Sequence, residues 1–165
     1  MDFHLATLRN KAVALPEILE LLGKNQRFVA VRDLEIAAQT QISDIKRELL
    51  RSEADVEQVV ARLERDERRL IDGSSAPKEL EKLQHEVETL GIRRSELEDV
   101  ELEIMLRMES VKDRLDELKG EETLLISELE EIESRKFLAL AGIDSDVAAT
   151  LAERMITVSQ IDGVL

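Results

Sequence analysis

The side chains that could do chemistry in this sequence are carboxylates, guanidinium groups and two histidines, because the chain contains no cysteine. His85 lies close along the chain to Glu81, Glu86 and Glu88, which are residue types that bind metal ions. A metal site needs several such ligands converging on one point, and a single histidine on a helix is usually a surface residue. The lack of cysteine also excludes disulfides and thiolate metal sites in these residues. We therefore predict no metal-binding residue here.

Pairs of Asp and Glu occur along the whole chain, and any such pair could be interpreted as a general acid and a general base. Catalysis by such a pair also needs a pocket that excludes water and shifts the pKa values of both groups. The helical pattern described below offers no pocket of that kind. We predict no catalytic residue and no cofactor-binding residue, and we do not expect an enzyme.

Arginines form a possible basic stripe near the middle of the chain. Three of them are spaced to share one side of a helix, and two more would lie opposite in a hairpin: Arg62, Arg65 and Arg69, with Arg93 and Arg94. Such a stripe could bind a phosphate or an acidic partner. Acidic residues interleave with the arginines, so ordinary ion pairs between two helices are the alternative, and we favour that alternative.

The composition is typical of long helices rather than of a globular core. The chain has 165 residues, with no Trp or Tyr, three Phe, 43% hydrophobic and 36% charged residues. Its formal net charge of −14 repels nucleic-acid phosphates along most of the surface. No apolar stretch is long enough to cross a membrane, and the first residues do not resemble a signal peptide. We predict a cytoplasmic protein that does not bind membranes.

The few prolines and glycines divide the chain. A short helix over about 3–14 precedes Pro16, which suits the first turn of a second helix. The segment 72–77 contains Gly73 and Pro77 and predicts a turn, with Ser74 or Ser75 capping the helix that Pro77 begins. We therefore predict a short N-terminal helix at 1–15 and a helical hairpin at 16–140.

Apolar residues in both arms recur at alternating steps of three and four, which is the pattern of a coiled-coil seam. In the first arm they are Ile42, Ile45, Leu49, Val56, Val59, Leu63 and Leu70, with Ser52 and Asp66 as polar exceptions. In the second arm they are Leu80, Leu83, Val87, Leu90 and Leu97 and, after a slip expected near Val100, Ile104, Met108, Val111, Leu115, Leu118, Leu125, Leu129 and Ile132. The predicted fold is all-α: a long antiparallel two-helix coiled-coil hairpin with short flanking helices.

The pattern changes after residue 140. Ala141 and Gly142 predict the end of the second arm, and a short helix is expected up to about Arg154. The run 156–161 is β-branched and partly alternating, which predicts a strand stub, followed by a turn at Asp162-Gly163. A single strand needs a neighbour to bond its backbone. We therefore expect 141–165 to be a short helix and strand that lead into a further part of the chain.

The base of the hairpin, where the first arm begins and the second arm ends, carries more apolar residues than a two-helix seam requires. The members of this set are Leu21, Leu22, Phe28 and Val29 in the first arm and Leu124, Leu125 and Phe137 in the second. We expect this excess to pack on the N-terminal helix and the C-terminal segment. A partner surface or a dimer contact is the alternative.

The run from Ser74 to Val87, SSAPKELEKLQHEV, resembles the hairpin tip of bacterial proteins that join a coiled-coil hairpin to a four-cysteine zinc ribbon. Leu97-Glu98-Asp99 and Glu103-Ile104-Met105 extend the likeness, and Leu5 and Leu8 before Leu15-Pro16-Glu17 are similar to the family's entry helix. In that family a strand and turn like Val158 to Val164 lead into the first Cys-x-x-Cys, whereas this sequence stops at Leu165. Either the natural chain continues into the ribbon, which we favour, or the ribbon has degenerated.

The resemblance implies an adaptor role, because such proteins are described as predicted nucleic-acid-binding proteins, and some relatives resemble adaptors that contact a sigma factor or secretion components. It makes the tip a candidate contact for partners through Ser74, Ser75, Pro77, Lys78, Glu79, Leu80 and Gln84. Zinc is expected only with a ribbon, and nucleic acid could bind through that ribbon. A homodimer is also possible.

Two other functions stay open from the sequence. Direct nucleic-acid binding by the hairpin would show as a salt-sensitive gel shift. A prefoldin-like holdase would suppress aggregation of a client protein and would lose that activity when the tip is made polar.

Overall fold

The structure, a computed structural model, consists of three helices over the residues that it describes. It describes the backbone of residues 2–162 and the side chains of residues 2–160. Helix α1 spans Asp2–Val13, α2 spans Pro16–Asp72 and α3 spans Pro77–Asp162. The two long helices form an antiparallel hairpin, and the described residues contain no strand, so the all-α hairpin prediction is confirmed. Pro16 ends the hydrogen-bond ladder of α1, because its ring nitrogen has no proton to donate, and it begins α2 as predicted.

The helices divide into two compact units. The turn unit is Leu34–Glu117, which contains the connection between α2 and α3. The terminal unit is Met1–Asp33 with Leu118–Leu165. Each unit is described by itself below.

In the turn unit, the predicted seam residues are the ones that α2 and α3 bury. Ile45, Leu63, Leu83 and Ile104 are buried, and the other seam residues of this unit are at least half-buried. Burying one such aliphatic side chain contributes about 1.5–3 kcal/mol. Asp66 lies in the seam too, with Arg62 and Arg69 each 3.9 Å from its carboxylate.

The slip that we expected near Val100 is wrong. Leu97 and Ile104 are seven residues apart, and the half-buried Glu101 occupies the seam position between them, while Val100 is 46% exposed. The alternation of three and four therefore continues without interruption. The sequence pattern suggested a slip because Glu101 stands at a seam position, where an apolar residue is usual.

In the terminal unit, Val31, Leu118 and Leu125 form a buried cluster on which Phe28 packs. The guanidinium of Arg32 lies 5.8 Å from the centre of the Phe28 ring. Helix α1 buries Leu5 and Leu8, and an ion pair of 2.9 Å between Asp2 and Arg154 places α1 beside the C-terminal part of α3.

The predicted short helix and strand stub after residue 140 are wrong, because α3 continues without a break to Asp162. Gly142 costs a helix only about 1 kcal/mol relative to Ala. The buried or half-buried side chains of Ala139, Ile143 and Thr150 extend the seam pattern past it. The β-branched run 156–160 is helical as well, since a strand preference is weak without a neighbouring strand to bond. The predicted turn at Gly163 lies outside the described residues.

Gly73 and Gly91 should respond to alanine in opposite directions. Gly73 has φ of +61°, where a Cβ is strained, so Gly73→Ala should lower the free energy of unfolding by about 1 kcal/mol. Gly91 is inside α3 with no atom within 4 Å of a built Cβ, so Gly91→Ala should raise it by about 1 kcal/mol. Urea unfolding followed by circular dichroism measures both values. Equal shifts of the same sign would contradict this assignment.

Ser52 should be a destabilising residue of the seam. Its Oγ is buried without a hydrogen-bond partner, so Ser52→Ala should raise the free energy of unfolding by about 1–2 kcal/mol. The matched control is Ser110→Ala, an exposed helical serine that reports helix propensity alone, with a gain of about 0.5 kcal/mol. Equal gains from the two substitutions in urea unfolding would mean that the buried hydroxyl costs nothing.

Candidate functional site

The turn between α2 and α3 is tightly hydrogen-bonded. The hydroxyl of Ser74 donates to Asp72 Oδ2 at 2.8 Å, and the backbone carbonyl of Ala76 accepts from the amides of Glu79 and Leu80 at 2.8 and 3.0 Å. Our expectation that Ser74 or Ser75 caps α3 is therefore wrong. Pro77 begins the helix, so Ala76 occupies the capping position. The backbone carbonyl of Ala76 accepts the hydrogen bonds at the start of the helix, where we expected a serine side chain to act.

The predicted tip residues lie on both sides of this turn. Lys78 and Gln84 are exposed without an ion pair or hydrogen bond among the described side chains, whereas Glu79 lies 3.6 Å from Arg69. Leu80 is half-buried in the seam. The remaining tip residues, Ser74, Ser75 and Pro77, build the turn itself. These residues consequently offer a partner a small, mostly polar surface beside Ile71, which is 85% exposed, and their role as a contact stays a prediction.

Residues that come directly before a seam residue share one side of the hairpin, which we name the leading face. Inter-helix ion pairs of the turn unit join residues of this face: Glu48 with Arg107 at 2.6 Å, Arg69 with Glu79 at 3.6 Å, and Arg62 with Glu86. Residues that come directly after a seam residue form the opposite side, the trailing face. Antiparallel coiled coils place charges beside the seam in this way to fix register.

The predicted basic stripe lies mainly on the leading face and is mostly paired. Arg62 and Arg69 bind carboxylates of the other helix and approach Asp66 in the seam. Arg93 pairs with Glu96, and Arg94 donates to Glu98, which raises the pKa of Arg94. Arg65 has no partner among the described side chains. Ion pairs between the two helices thus involve Arg62 and Arg69, whereas Arg93 and Arg94 pair within α3. A role of the stripe in binding stays a prediction.

The apolar excess of the terminal unit lies partly inside and partly outside. Leu21 and Leu125 are buried and Phe28 is half-buried, but Leu22 and Val29 are each 57% exposed. Two further members of the set, Leu124 and Phe137, are exposed as well. Our expectation that the whole excess packs on neighbouring segments is wrong for these four, because they lie off the seam.

An open groove of about 460 Å³ crosses the terminal unit at Gly23, where no side chain fills the space. Leu19, Leu124 and Leu125 line it with apolar surface. Ion pairs form its rim: Lys24 with Glu128 at 2.5 Å and Arg27 with Glu121 at 2.6 Å. The hydrogen bond and the charge of Glu121 raise the pKa of Arg27. The groove combines an apolar floor with a charged rim, which suits a side chain of a protein partner better than a small anion.

The residues considered for metal binding and catalysis do not converge. His4 and His85 are both exposed, and no group of three His, Asp or Glu side chains among the described residues could hold a metal ion. Two other surface grooves are each lined by a single helix. A helical coiled-coil hairpin is not a typical enzyme fold. None of the described helices has the length and apolarity needed to cross a membrane.

Sequence reasoning found some of the exposed apolar residues of the trailing face and missed others. In the terminal unit, Leu22, Val29 and Phe137 belong to the predicted apolar excess, whereas Ile18, Ile126 and Leu151, 40–44% exposed, were missed. Each follows a seam residue directly, so the heptad pattern would have revealed them once every seam position had been assigned.

Two proteins of Mycobacterium tuberculosis resemble the chain: uncharacterized protein Rv2229c of strain ATCC 25618 / H37Rv and uncharacterized protein MT2288 of strain CDC 1551 / Oshkosh. Each is 29% identical over 112 residues, which are 68% of this chain and 46% of the relative. The chain thus spans about half the length of these curated relatives. A solved structure from Mycobacterium smegmatis matches 96% of this chain and 66% of its own, with a TM-score of 0.73 and 25% identity.

The family model of the CT398-like coiled coil hairpin domain matches residues 1–165. Its description agrees with the two long helices, the turn at Gly73 and the heptad seam of this structure. The protein belongs to the CT398-like coiled coil hairpin domain family.

Proposed function

We propose that this protein is a non-enzymatic helical adaptor that presents its faces and its tip to partner proteins. The observation that supports the proposal most is the exposure of large apolar side chains off the seam, with Phe137 71% and Leu124 67% exposed. Such side chains contribute little to the packing of two helices, and a partner that covers them would remove their contact with water.

Charge favours a protein over a nucleic acid as the partner of the hairpin. The formal net charge is −14, and the arginines that could bind phosphate are largely engaged with carboxylates. A nucleic acid would have to compete with those ion pairs and would meet a net repulsion.

We further propose that the hairpin is part of a longer cytoplasmic protein that carries a zinc ribbon. The likeness of the run Ser74 to Val87 to the tip of that family supports this, as does the greater length of the mycobacterial relatives. The ribbon would add one zinc ion and a second binding module, for nucleic acid or for a sigma-factor or secretion component.

The natural full-length protein should carry zinc outside the hairpin. We expect its intact mass to exceed that of the 165 residues and its zinc content to be about one ion per chain, because four thiolates bind one Zn²⁺. Native mass spectrometry with metal analysis measures both. A natural chain that ends with these residues, or that is longer but free of zinc, would contradict the ribbon proposal and leave the adaptor proposal standing.

The adaptor proposal predicts site-specific contacts to proteins in cells. A photo-reactive amino acid placed at Leu22 of the terminal unit or at Lys78 of the turn should give discrete adducts, because both side chains are exposed. Ser110, exposed on α3, is the control position and should give none. Mass spectrometry should identify the captured protein and the residue in it that was crosslinked. When the photo-reactive amino acid is then placed at that residue of the captured protein, it should crosslink back to the original position in the hairpin.

Two outcomes would overturn the adaptor proposal. One is the absence of protein adducts at Leu22, at Lys78 and at Leu102, a third position, which is exposed on α3. The other is that the adducts contain nucleic acid and disappear with nuclease, which would favour direct nucleic-acid binding by the hairpin.

A further inference from the structure

The two faces of the turn unit differ in how their charges are satisfied. On the leading face, arginines and glutamates of opposite helices pair across the seam, as in Glu48 with Arg107. On the trailing face, no ion pair joins the two helices in the described stretch from Lys46 round the turn to Lys112. Ion pairs between the two helices therefore lie on the leading face of this stretch, and the charged side chains of the trailing face take no part in them.

From Glu53 on α2 to Glu98 on α3, all charged residues of the trailing face are acidic. It carries no Lys, Arg or His in this stretch, and its glutamates are Glu53, Glu57, Glu64, Glu67, Glu81, Glu88 and Glu98. Among the described side chains, Glu64 and Glu98 have an ion pair, each with an arginine four residues away on its own helix. Arg94 also attracts Glu67 of the other helix, whereas Glu53, Glu57, Glu81 and Glu88 have no ion pair. Uncompensated like charges on one face repel each other. They would be stabilised by cations from outside the hairpin.

An apolar patch adjoins these glutamates on the same face. Leu50 is 65% exposed, Leu102 57% and Met105 45%. The inter-helix pairs limit the register, because Glu48–Arg107 would place Leu50 opposite Met105 and Arg62–Glu86 would place it opposite Glu98. Leu50 therefore lies across the seam from the stretch of α3 that carries Leu102. Leu106, 71% exposed, lies one helical turn from Leu102 and widens the patch.

Beyond the patch, away from the turn, the trailing face carries charges of both signs. Lys46, Glu109 and Lys112 follow the seam residues Ile45, Met108 and Val111. The acidic stretch is therefore confined to the part of the face between the patch and the turn. The face consequently has a direction, with an apolar anchor point at one end and negative charge towards the other.

We propose that the trailing face of the turn unit docks a cationic amphipathic helix of a partner protein. Aliphatic side chains of that helix would cover the patch at Leu50, Leu102 and Met105, and its Lys and Arg would lie along the glutamates. The partner segment is expected to be a helix because the apolar patch and the glutamates follow seam residues and so recur every three or four residues. A helix presents its own side chains at the same spacing. This inference rests on the proposed adaptor function.

A second copy of the chain is the less favourable occupant. Its trailing face carries the same glutamates, so two copies packed through this face would bring like charges together. The formal charge of −14 on each copy adds to that repulsion.

The binding experiment uses the natural full-length protein and three synthetic helices of about three heptads each. The first peptide has leucines along one stripe and flanking lysines, the second replaces the leucines with serine, and the third replaces the lysines with glutamate. Fluorescence anisotropy gives the Kd of each. Only the first peptide should bind tightly, since the patch and the glutamates act together.

Variants of the two faces make the test specific, and circular dichroism checks that all of them stay helical. On the trailing face, Leu50→Ser with Leu102→Ser removes the patch, and Glu53→Gln, Glu57→Gln, Glu81→Gln and Glu88→Gln remove four charges. The matched leading-face controls are Leu34→Ser with Val100→Ser, 45% and 46% exposed, and Asp44→Asn, Asp55→Asn, Glu103→Gln and Glu117→Gln. Each trailing-face variant should weaken binding about tenfold or more, and each control less than about threefold.

The results separate the failure of this face from the failure of the adaptor function. Equal weakening by both sets of variants, or tight binding of either altered peptide, would mean nonspecific attraction and would overturn the docking proposal. A photo-reactive group at Leu102 should also capture a protein in cells. Adducts at Leu22 or Lys78 with none at Leu102, or a dimer of the chain captured at Leu102, would overturn this face alone. Absence of adducts at all three positions would overturn the adaptor function as well.

Discussion

A narrow seam of side chains at alternating steps of three and four is the constraint on which the structure depends. The seam residues of α2 and α3 are buried or half-buried, so each long helix buries one stripe and leaves most of its surface in water. Stability therefore comes from the regularity of the pattern, from Leu21 to Leu70 on α2 and from Leu80 past Ile132 on α3. Polar members such as Ser52, Glu101 and Asp66 are tolerated because the apolar residues on either side keep the helices in place.

The seam also organises the surface. Because every position is defined by its distance from a seam residue, charges and apolar side chains fall on defined faces. In the turn unit the leading face carries ion pairs such as Arg62 with Glu86, and the trailing face carries several glutamates, among them Glu53 and Glu57, that have no ion pair among the described side chains. In the terminal unit, exposed residues such as Leu22 and Phe137 follow seam residues in the same way. This sorting gives the coiled-coil hairpin faces that differ in charge and apolarity.

The predictions failed where local signals competed with this seam. The break at Gly142 and the strand at 156–161 were argued from single residues and from β-branched composition. In the structure the regular packing of Ala139, Ile143 and Thr150 outweighs the cost of one glycine, so the helix continues. The expected serine cap failed for another reason. Ser74 bonds to Asp72, and the geometry of the turn gives the capping position to Ala76.

By itself, the sequence determined the helical hairpin, its seam residues and the position of its turn, because the heptad spacing, Gly73 and Pro77 act over short distances along the chain. It also contained the arginines and the candidate tip residues, without showing which of them are engaged. Only the tertiary structure decided that Arg62 and Arg69 are paired, that Leu22, Leu124 and Phe137 are exposed, and that Leu50 lies across the seam from the stretch of α3 with Leu102. The physical reason is register, because which side chains meet depends on how two distant helices align, and no local propensity encodes that alignment.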